Sequence, residues 1–398
     1  MTHLFTLTQA KYRKRIGAIL TSSFNGLLIP LLNIVISSLV VRVASVNLWG
    51  EFVNLMIVVH FGTHIIAWGN KEYLLRAFSR SPAQIAGTWR GALLSRALIL
   101  LGLIAVLPLW VRPGERWGLA VLWVVGLAWV QSLDVFVQYR KDFLFALVVE
   151  LLALAGLAVG VLGLGSGLTL ETLILLFALA QWLKAGLLTA RNWETIRGRG
   201  ETGLKPDLSF FSAALPFFLL GFSGMLQSRV DLYTVSYFYS HEEVGRYQVF
   251  INLIIYLQAV ANFILIPFVK NLYRLDYMTL NKISQRLFLL GLVVTPFAVT
   301  AIYFVLKWVY EFTFPPAYFI FGALYALPSF YYLPAIYALF KAERQNTVAV
   351  FNFSGSAFVL LLNLILLPRI GLLGAVVSVA VTHWGLLVLY AWQMRRLT

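Results

Sequence analysis

The chain has 398 residues, of which 60% are hydrophobic and only 12% are charged. About a quarter of the residues in a soluble domain are charged, so this composition excludes a water-soluble fold and predicts a polytopic membrane protein. There is no cysteine, which excludes disulfides, thiol catalysis and cysteine-ligated metal sites.

Apolar segments long enough to cross a bilayer as helices recur along the whole chain, since about 20 helical residues span the hydrocarbon core. The twelve predicted spans lie near 17–41, 50–68, 87–110, 117–138, 143–163, 170–190, 210–238, 245–268, 286–306, 318–340, 347–367 and 372–392. Each run is continuously apolar and lacks the alternation of a membrane β-barrel strand. The predicted fold class is an all-α polytopic membrane protein of about twelve transmembrane helices.

Basic residues collect in every second loop. Of the 31 lysines and arginines, 21 lie at the termini or in loops on one side of the predicted membrane, and six lie in loops on the other side. Because cytoplasmic loops carry the excess of positive charge, both termini are predicted to be cytoplasmic. The net charge of +15 is therefore a topology signal, and no nucleic-acid partner is expected.

The longest polar connection, Arg191 to Asp207, divides the spans into six and six. Its glycines and proline predict a flexible cytoplasmic linker. The predicted domains are an N-terminal six-helix lobe (1–190), a linker (191–208) and a C-terminal six-helix lobe (209–398). Gly50 and Gly245 each begin the second helix of a half, which favours two parallel repeats with pseudo-two-fold symmetry about the membrane normal.

Three ionisable residues within the spans are the main candidates for substrate contacts, because charge inside a membrane is costly and is usually functional. Arg96 lies about 14 Å into the third span at 1.5 Å per residue, and a structural pair with Glu150 is the alternative. Arg229 and Asp231 lie well along the seventh span, where the alternative is interfacial snorkelling. Residues two apart do not share a helix face, so these two are not predicted to form a simple pair.

Neutral polar residues also recur inside the spans. Gln258 and Asn262 are four residues apart, and Asn33 follows Asn25 by eight, so each pair lies on about one helix face. Such faces turn towards other helices or line a wet cavity, and their number favours a cavity. His60 is predicted to form an interhelical hydrogen bond or to line this cavity. His64 lies four residues further on the same helix face, but no additional ligand at a suitable spacing completes a metal site with the two histidines.

Pro30 and Pro216 fall in the first helix of each half. Proline kinks a helix, so the two positions are candidates for a gate, with a static packing kink as the alternative. The sequence has no P-loop, H-E-x-x-H or G-x-S-x-G pattern. The sequence therefore predicts no enzyme activity, no metal and no cofactor. The alternative to a transporter is a membrane-embedded enzyme or an assembly scaffold.

Short motifs spread over the chain carry a resemblance to a known family. They are Leu48-Trp49-Gly50-Glu51-Phe52, Arg229-Val230-Asp231, Val244-Gly245-Arg246-Tyr247 and the run Pro368-Arg369-Ile370-Gly371-Leu372-Leu373-Gly374-Ala375. With them the chain resembles the polysaccharide-transporter (Wzx-like) family of oligosaccharide-lipid flippases. That family belongs to the superfamily of multidrug/oligosaccharidyl-lipid/polysaccharide exporters.

The resemblance implies two six-helix lobes around a central cationic cavity that works by alternating access. It implies a flippase that moves an isoprenoid-diphosphate-linked oligosaccharide across the bacterial inner membrane for surface polysaccharide assembly, with the lipid bilayer and a polysaccharide polymerase as partners. The resemblance does not specify the arginines of this cavity; we assign the diphosphate contact to Arg96 and Arg229 from their positions in the spans, with Asp231 orienting Arg229 or carrying coupling. A cation-coupled multidrug efflux transporter of the same superfamily is the alternative, and a coupling ion, H⁺ or Na⁺, stays open.

Overall fold

The structure is a computed structural model that describes residues 31–109, 115–198, 206–265 and 268–397. Those ranges contain helices, turns and short 3₁₀ segments and no strand. The helices are α1 Leu31–Val43, α2 Val46–Ala67, α3 Asn70–Arg80, α4 Ile85–Val106, α5 Glu115–Arg140, α6 Phe143–Leu164, α7 Leu170–Arg197, α8 Ser209–Phe238, α9 His241–Leu265, α10 Val269–Leu272, α11 Tyr277–Trp308, α12 Pro316–Lys341, α13 Gln345–Ile370 and α14 Leu373–Leu397.

Among the described residues, 11 helices are long and apolar enough to cross a membrane. They correspond to the second to twelfth predicted spans and confirm the all-α polytopic fold. Only the end of the first predicted span is described, as α1, and the gating candidate Pro30 lies outside the described residues.

Several helices extend beyond the segments that hydropathy predicts. α11 begins well before the predicted span at 286 because Asp276 caps it: its Oδ1 accepts a hydrogen bond from the Thr279 backbone N–H at 2.7 Å. α7 continues to Arg197, so the first residues of the predicted linker are helical. No glycine or proline interrupts the sequence from 187 to 197, and Gly198 follows the last helical residue.

A short amphipathic helix, α3, follows the second span where the sequence reasoning predicted only a connecting segment. Trp68 and Gly69 turn the chain with positive φ angles of 44° and 66°. A Cβ atom on Gly69 would lie 2.7 Å from the backbone nitrogen of Phe218, so only glycine fits this close approach to α8. Leu74 and Phe78 are fully buried, and their burial anchors α3 against the helices that it packs on.

The chain forms two compact units. The first comprises the residues up to Ser38 together with Leu226–Tyr239 and Arg246–Thr398; the second comprises Leu39–Met225 and Ser240–Gly245. α8 thus contributes its first half to the second unit and its second half to the first. The lobe boundaries at 190 and 209 stay a prediction.

The core of the second unit is aromatic and aliphatic. It includes Phe78 from α3, Trp89 from α4, Phe136 from α5 and Phe210 from α8. The Trp89 indole Nε1 donates to the Ser132 carbonyl oxygen at 2.8 Å, so the ring satisfies its one polar atom inside this core. These contacts fix the ends of α3, α4, α5 and α8 relative to one another.

Candidate functional site

Arg96 on α4 is a buried cation without a carboxylate partner among the described residues. Its residue surface is only 2% exposed. Its Nε donates to the Ala92 carbonyl oxygen at 3.3 Å, and its Nη2 has no hydrogen-bond partner within the described ranges. The alternative partner, Glu150, instead accepts from Lys184 Nζ at 2.7 Å. The structure therefore contains no ion pair between Arg96 and Glu150.

Arg229 and Asp231 use different partners, as their spacing along α8 predicts. Arg229 Nη1 donates to Asn252 Oδ1 on α9 at 2.6 Å. Asp231 is 1% exposed and its Oδ2 accepts from the Tyr247 hydroxyl at 2.5 Å. Both pairs join α8 to α9 within the first unit. Asp231 is thus an interior carboxylate and does not snorkel to the surface.

The remaining candidates are dispersed. In the first unit, Gln258 Nε2 donates to the Tyr325 carbonyl oxygen at 3.1 Å, Asn33 hydrogen-bonds to Tyr256, and Asn262 is half-buried. In the second unit, His60 is exposed, with its ring edge against Trp123. The structure groups the candidates by unit: Arg229, Asp231, Gln258, Asn262 and Asn33 in the first, and Arg96, His60 and Pro216 in the second.

A cationic cavity in the second unit was missed by the sequence reasoning. It has a volume of about 840 Å³ and lies among α3, α4 and the start of α8. Arg76 and Arg80 lie one helical turn apart on α3 and line it, with the N-terminal turns of α4 opposite. Within the described ranges neither guanidinium has a hydrogen-bond or ion-pair partner. The sequence had marked both only as a topology signal.

One carboxylate also lines this cationic cavity. Asp207 precedes α8 and its Oδ1 accepts from the backbone nitrogen of Ser209 at 3.1 Å and from the Ser209 hydroxyl at 2.5 Å. The carboxylate is therefore engaged in capping the helix. Gly87 and Gly91 present bare backbone from α4 to the same cavity, which allows a ligand to approach closely.

A smaller cavity, whose wall is mostly apolar with a few polar side chains, adjoins the cationic one, since Phe217 lines both. Its volume is about 310 Å³, and it is lined by residues of α2, α3, α5 and α8. Asn70, Gln131 and Asp134 supply uncharged and acidic oxygen atoms. Asn70 is 2% exposed, and neither its Nδ2 nor its Oδ1 has a partner among the described residues; the same holds for Gln131 Oε1.

Comparison with known proteins identifies the fold. No family model matches the sequence, and no curated protein matches it. A lipid II flippase, MurJ, in an inward closed conformation is similar with a TM-score of 0.74 and 13% identity, over 94% of this chain and 87% of that chain.

Multidrug resistance MATE family transporters of the MOP superfamily are similar as well. One in an inward-facing conformation gives a TM-score of 0.67 at 11% identity, over 94% of this chain and 97% of the other. One in an outward-facing conformation gives 0.59 at 12% identity, over 96% and 95%. The chain therefore has the all-helical, two-lobe fold that these transporters share.

Proposed function

We propose that this chain, which has the fold of MOP superfamily transporters, is a flippase for an isoprenoid-diphosphate-linked oligosaccharide. It moves the lipid from the cytoplasmic to the outer leaflet by alternating access, for surface polysaccharide assembly. The observation that carries the proposal is the buried, uncompensated guanidinium of Arg96. The similar structures include a lipid II flippase, which supports a lipid substrate.

An isolated buried charge costs several kcal/mol unless a counter-charge compensates it. Within the described ranges Arg96 has no carboxylate partner, and Glu150 is engaged by Lys184. A diphosphate supplies the missing negative charge and several acceptor oxygens, which match the planar donor fork of a guanidinium. A neutral or cationic drug would leave the charge of Arg96 uncompensated.

The cationic cavity supports loading from the side that the positive-inside rule assigns to the cytoplasm. Arg76 and Arg80 stand at the end of the second unit that carries these basic loops. A diphosphate headgroup arriving in the cytoplasmic leaflet would meet these two guanidiniums before it reaches Arg96. Arg229, held by Asn252, offers a further cationic contact in the first unit.

One observation is compatible with the second candidate function, cation-coupled multidrug efflux. Asp231 is a buried carboxylate that accepts hydrogen bonds from Tyr247 and from nearby backbone groups. Such a group is suited to bind H⁺ or Na⁺. The same carboxylate serves equally to couple an ion to flipping, so it does not distinguish the two substrates.

The test is transport by the purified protein in vesicles. A fluorescent polyprenyl-diphosphate-linked sugar in the inner leaflet is expected to become accessible outside with the wild-type chain, and at least about tenfold more slowly with Arg96→Gln, the loss expected for one charged hydrogen-bonded contact. Arg344→Gln, an exposed arginine on a basic loop, is the matched control. Export of cationic dyes without any lipid flipping would overturn the proposal in favour of drug efflux.

The proposed location is the bacterial inner membrane with both termini in the cytoplasm, and the proposed downstream partner is the machinery that polymerises the flipped units. Deletion of the gene is expected to abolish surface polysaccharide and to leave drug sensitivity unchanged. The reverse pattern would contradict the proposal.

A further inference from the structure

We propose that the smaller cavity of the second unit is a subsite for one sugar unit of the transported lipid, held by Asn70, Gln131 and Asp134. The inference rests on the proposed function. It adds the place in the protein at which the sugar closest to the diphosphate is recognised.

The first observation is the amide of Asn70. It is buried, it lines the cavity, and neither its donor nor its acceptor has a partner in the described part of the chain. Buried polar groups in native proteins nearly always have hydrogen-bond partners, and an unpaired one is costly. Both amide atoms are shut off from water in this structure, so a ligand in the adjoining cavity would complete their hydrogen bonding once the side chain rotates towards it.

The pattern of unused atoms points to a hydroxyl-rich ligand. A bare cation would engage the Asn70 oxygen and leave the Nδ2 group unpaired. A sugar hydroxyl both donates and accepts, so two neighbouring hydroxyls pair with both ends of one amide. Gln131 Oε1, also without a partner among the described residues, offers another acceptor.

Asp134 completes the acceptor set. It lies three residues after Gln131 on α5, so both side chains project from about one helix face into the same cavity. A carboxylate accepts from two hydroxyls at once. Lys71, Glu72 and His64 also line the cavity, and with the Asp134 carboxylate the lining has one more acidic than basic side chain, which disfavours a phosphate here and leaves the diphosphate to the cationic cavity.

Size and apolar lining agree with a single sugar. A volume of about 310 Å³ stands at the small end of known ligand pockets, which begin near 300 Å³. Phe217 and Leu220 supply apolar surface for the C–H face of a pyranose ring. This volume is sufficient for one sugar unit.

The neighbouring cationic cavity gives the subsite its place along the substrate. Phe217 lines both cavities. A diphosphate bound at Arg76 and Arg80 would therefore place the sugar attached to it beside Asn70. The order of the two cavities matches the order of groups in an isoprenoid-diphosphate-linked sugar.

The experiment measures binding of short-chain probes to the full-length protein in lipid nanodiscs. The probes are farnesyl diphosphate and farnesyl diphosphate carrying one glucose, galactose or N-acetylglucosamine. At least one sugar-bearing probe is expected to bind about tenfold more tightly than farnesyl diphosphate, the gain from one or two hydrogen bonds. Asn70→Leu and, independently, Gln131→Met are expected to remove this gain and to leave farnesyl diphosphate binding unchanged.

A second readout separates a ligand contact from a structural role. Because the Asn70 amide has no partner within the described ranges, Asn70→Leu is expected to raise the melting temperature of the ligand-free protein by about 2 °C or more. Asn192→Leu is the matched control: Asn192 is a buried amide of α7 whose Nδ2 donates to the Leu188 carbonyl oxygen at 2.8 Å. It is expected to keep the sugar preference.

The outcomes distinguish this inference from the proposed function. Equal binding of all four probes would overturn the sugar subsite and leave the anionic-lipid flippase intact. If no probe binds to the wild-type chain or to Arg96→Gln, both the proposed function and the subsite are overturned. A lower melting temperature for Asn70→Leu would also contradict the subsite, because it would show that the amide stabilises the protein itself.

Discussion

Gly50 and Gly245 lie against each other where α2 and α9 begin. A Cβ atom on Gly50 would stand 1.6 Å from the carbonyl oxygen of His241 and 3.1 Å from the backbone nitrogen of Gly245. A Cβ atom on Gly245 would stand 2.7 Å from the carbonyl oxygen of Val46. The two glycines that suggested a sequence repeat therefore lie at the contact between the N-terminal turns of α2 and α9, where the backbones approach closely.

This contact predicts the effect of adding one methyl group. Gly50→Ala is expected to destabilise the protein by about 1–3 kcal/mol, because the obstructing atoms belong to backbone and cannot rotate away. Thermal unfolding in detergent measures the change. Gly102→Ala on α4 is the control: a Cβ atom there meets nothing within 4 Å, and alanine favours a helix by about 0.5–1 kcal/mol. Equal melting temperatures for the two variants would contradict the packing.

The pair between Glu150 and Lys184 is expected to matter more than an exposed pair. Its side chains are 26% and 12% exposed, so Glu150→Leu leaves a largely buried ammonium unpaired and should cost about 2 kcal/mol, between the values for exposed and buried pairs. The double variant Glu150→Leu/Lys184→Leu should recover most of the loss. Glu171→Leu, which breaks the exposed pair with Arg116, should cost under about 1 kcal/mol.

Arg229 and Asp231 are expected to act mainly through different partners. Arg229→Gln should slow transport by disrupting the interaction with Asn252, and Asn252→Ala should reproduce part of that effect. Asp231→Asn should instead alter dependence on the coupling ion, as should Tyr247→Phe. The two pairs share no hydrogen-bond partner, but the opposite charges of Arg229 and Asp231 also attract each other, so the double variant Arg229→Gln/Asp231→Asn should depart from the sum of the single effects by about 1 kcal/mol or less. A larger interaction energy would show that the two side chains work as a unit.

Asp276 predicts a pH dependence outside the membrane spans. Hydrogen bonds from the Thr279 backbone N–H and hydroxyl hold the pKa of this carboxyl below its ordinary value of 3.8. A depressed folded-state pKa means that the stabilisation is complete above the ordinary value and disappears as the pH falls through the lower, folded-state value. Asp276→Asn keeps a capping oxygen and should lose this pH dependence, whereas Asp276→Ala should lose the cap as well. Melting temperatures at pH 7 and pH 3 measure both effects.

The absence of cysteine makes the proposed topology directly testable. Ser81 and Ser240 are exposed and lie at opposite ends of transmembrane helices under the predicted orientation. In intact cells, a membrane-impermeant maleimide should label Ser240→Cys and spare Ser81→Cys until the cells are opened. The wild-type chain provides a background without thiols. Labelling of Ser81→Cys in intact cells would reverse the proposed orientation.

The spans could be predicted from the sequence because lipid leaves the backbone few options. A long apolar segment must satisfy its own hydrogen bonds, so hydropathy alone predicted the eleven long helices found in the described part of the chain. Hydropathy detects only the apolar part of a helix that crosses the membrane. It therefore did not predict α3, which is amphipathic, or the polar extension of α7 to Arg197. The segment Asn70–Arg80 is helical because it buries Leu74 and Phe78, and α7 continues to Arg197 because no glycine or proline occurs from 187 to 197.

Partners of side chains could be predicted less well than spans. Spacing along α8 was enough to separate Arg229 from Asp231, since a helix turns them to different faces. It could not select Asn252 or Tyr247, which depend on how α9 packs. Nor could it distinguish Arg76 from other loop arginines, because a cavity is formed by helices distant in sequence. Nothing in the sequence indicated the amide of Asn70, because whether a buried donor or acceptor lacks a partner depends on the three-dimensional packing around it.

The interleaving of the two compact units has a consequence for dividing the gene. Residues 206–225 and 240–245 belong to the unit built mainly from the preceding helices, although they follow the central linker. Two polypeptides separated at that linker would each retain a face that only the other fragment covers. Co-expressed halves are therefore expected to find each other and reconstitute a working protein, whereas either half alone should be degraded. Packing across the cut would then replace the covalent connection that the linker provides.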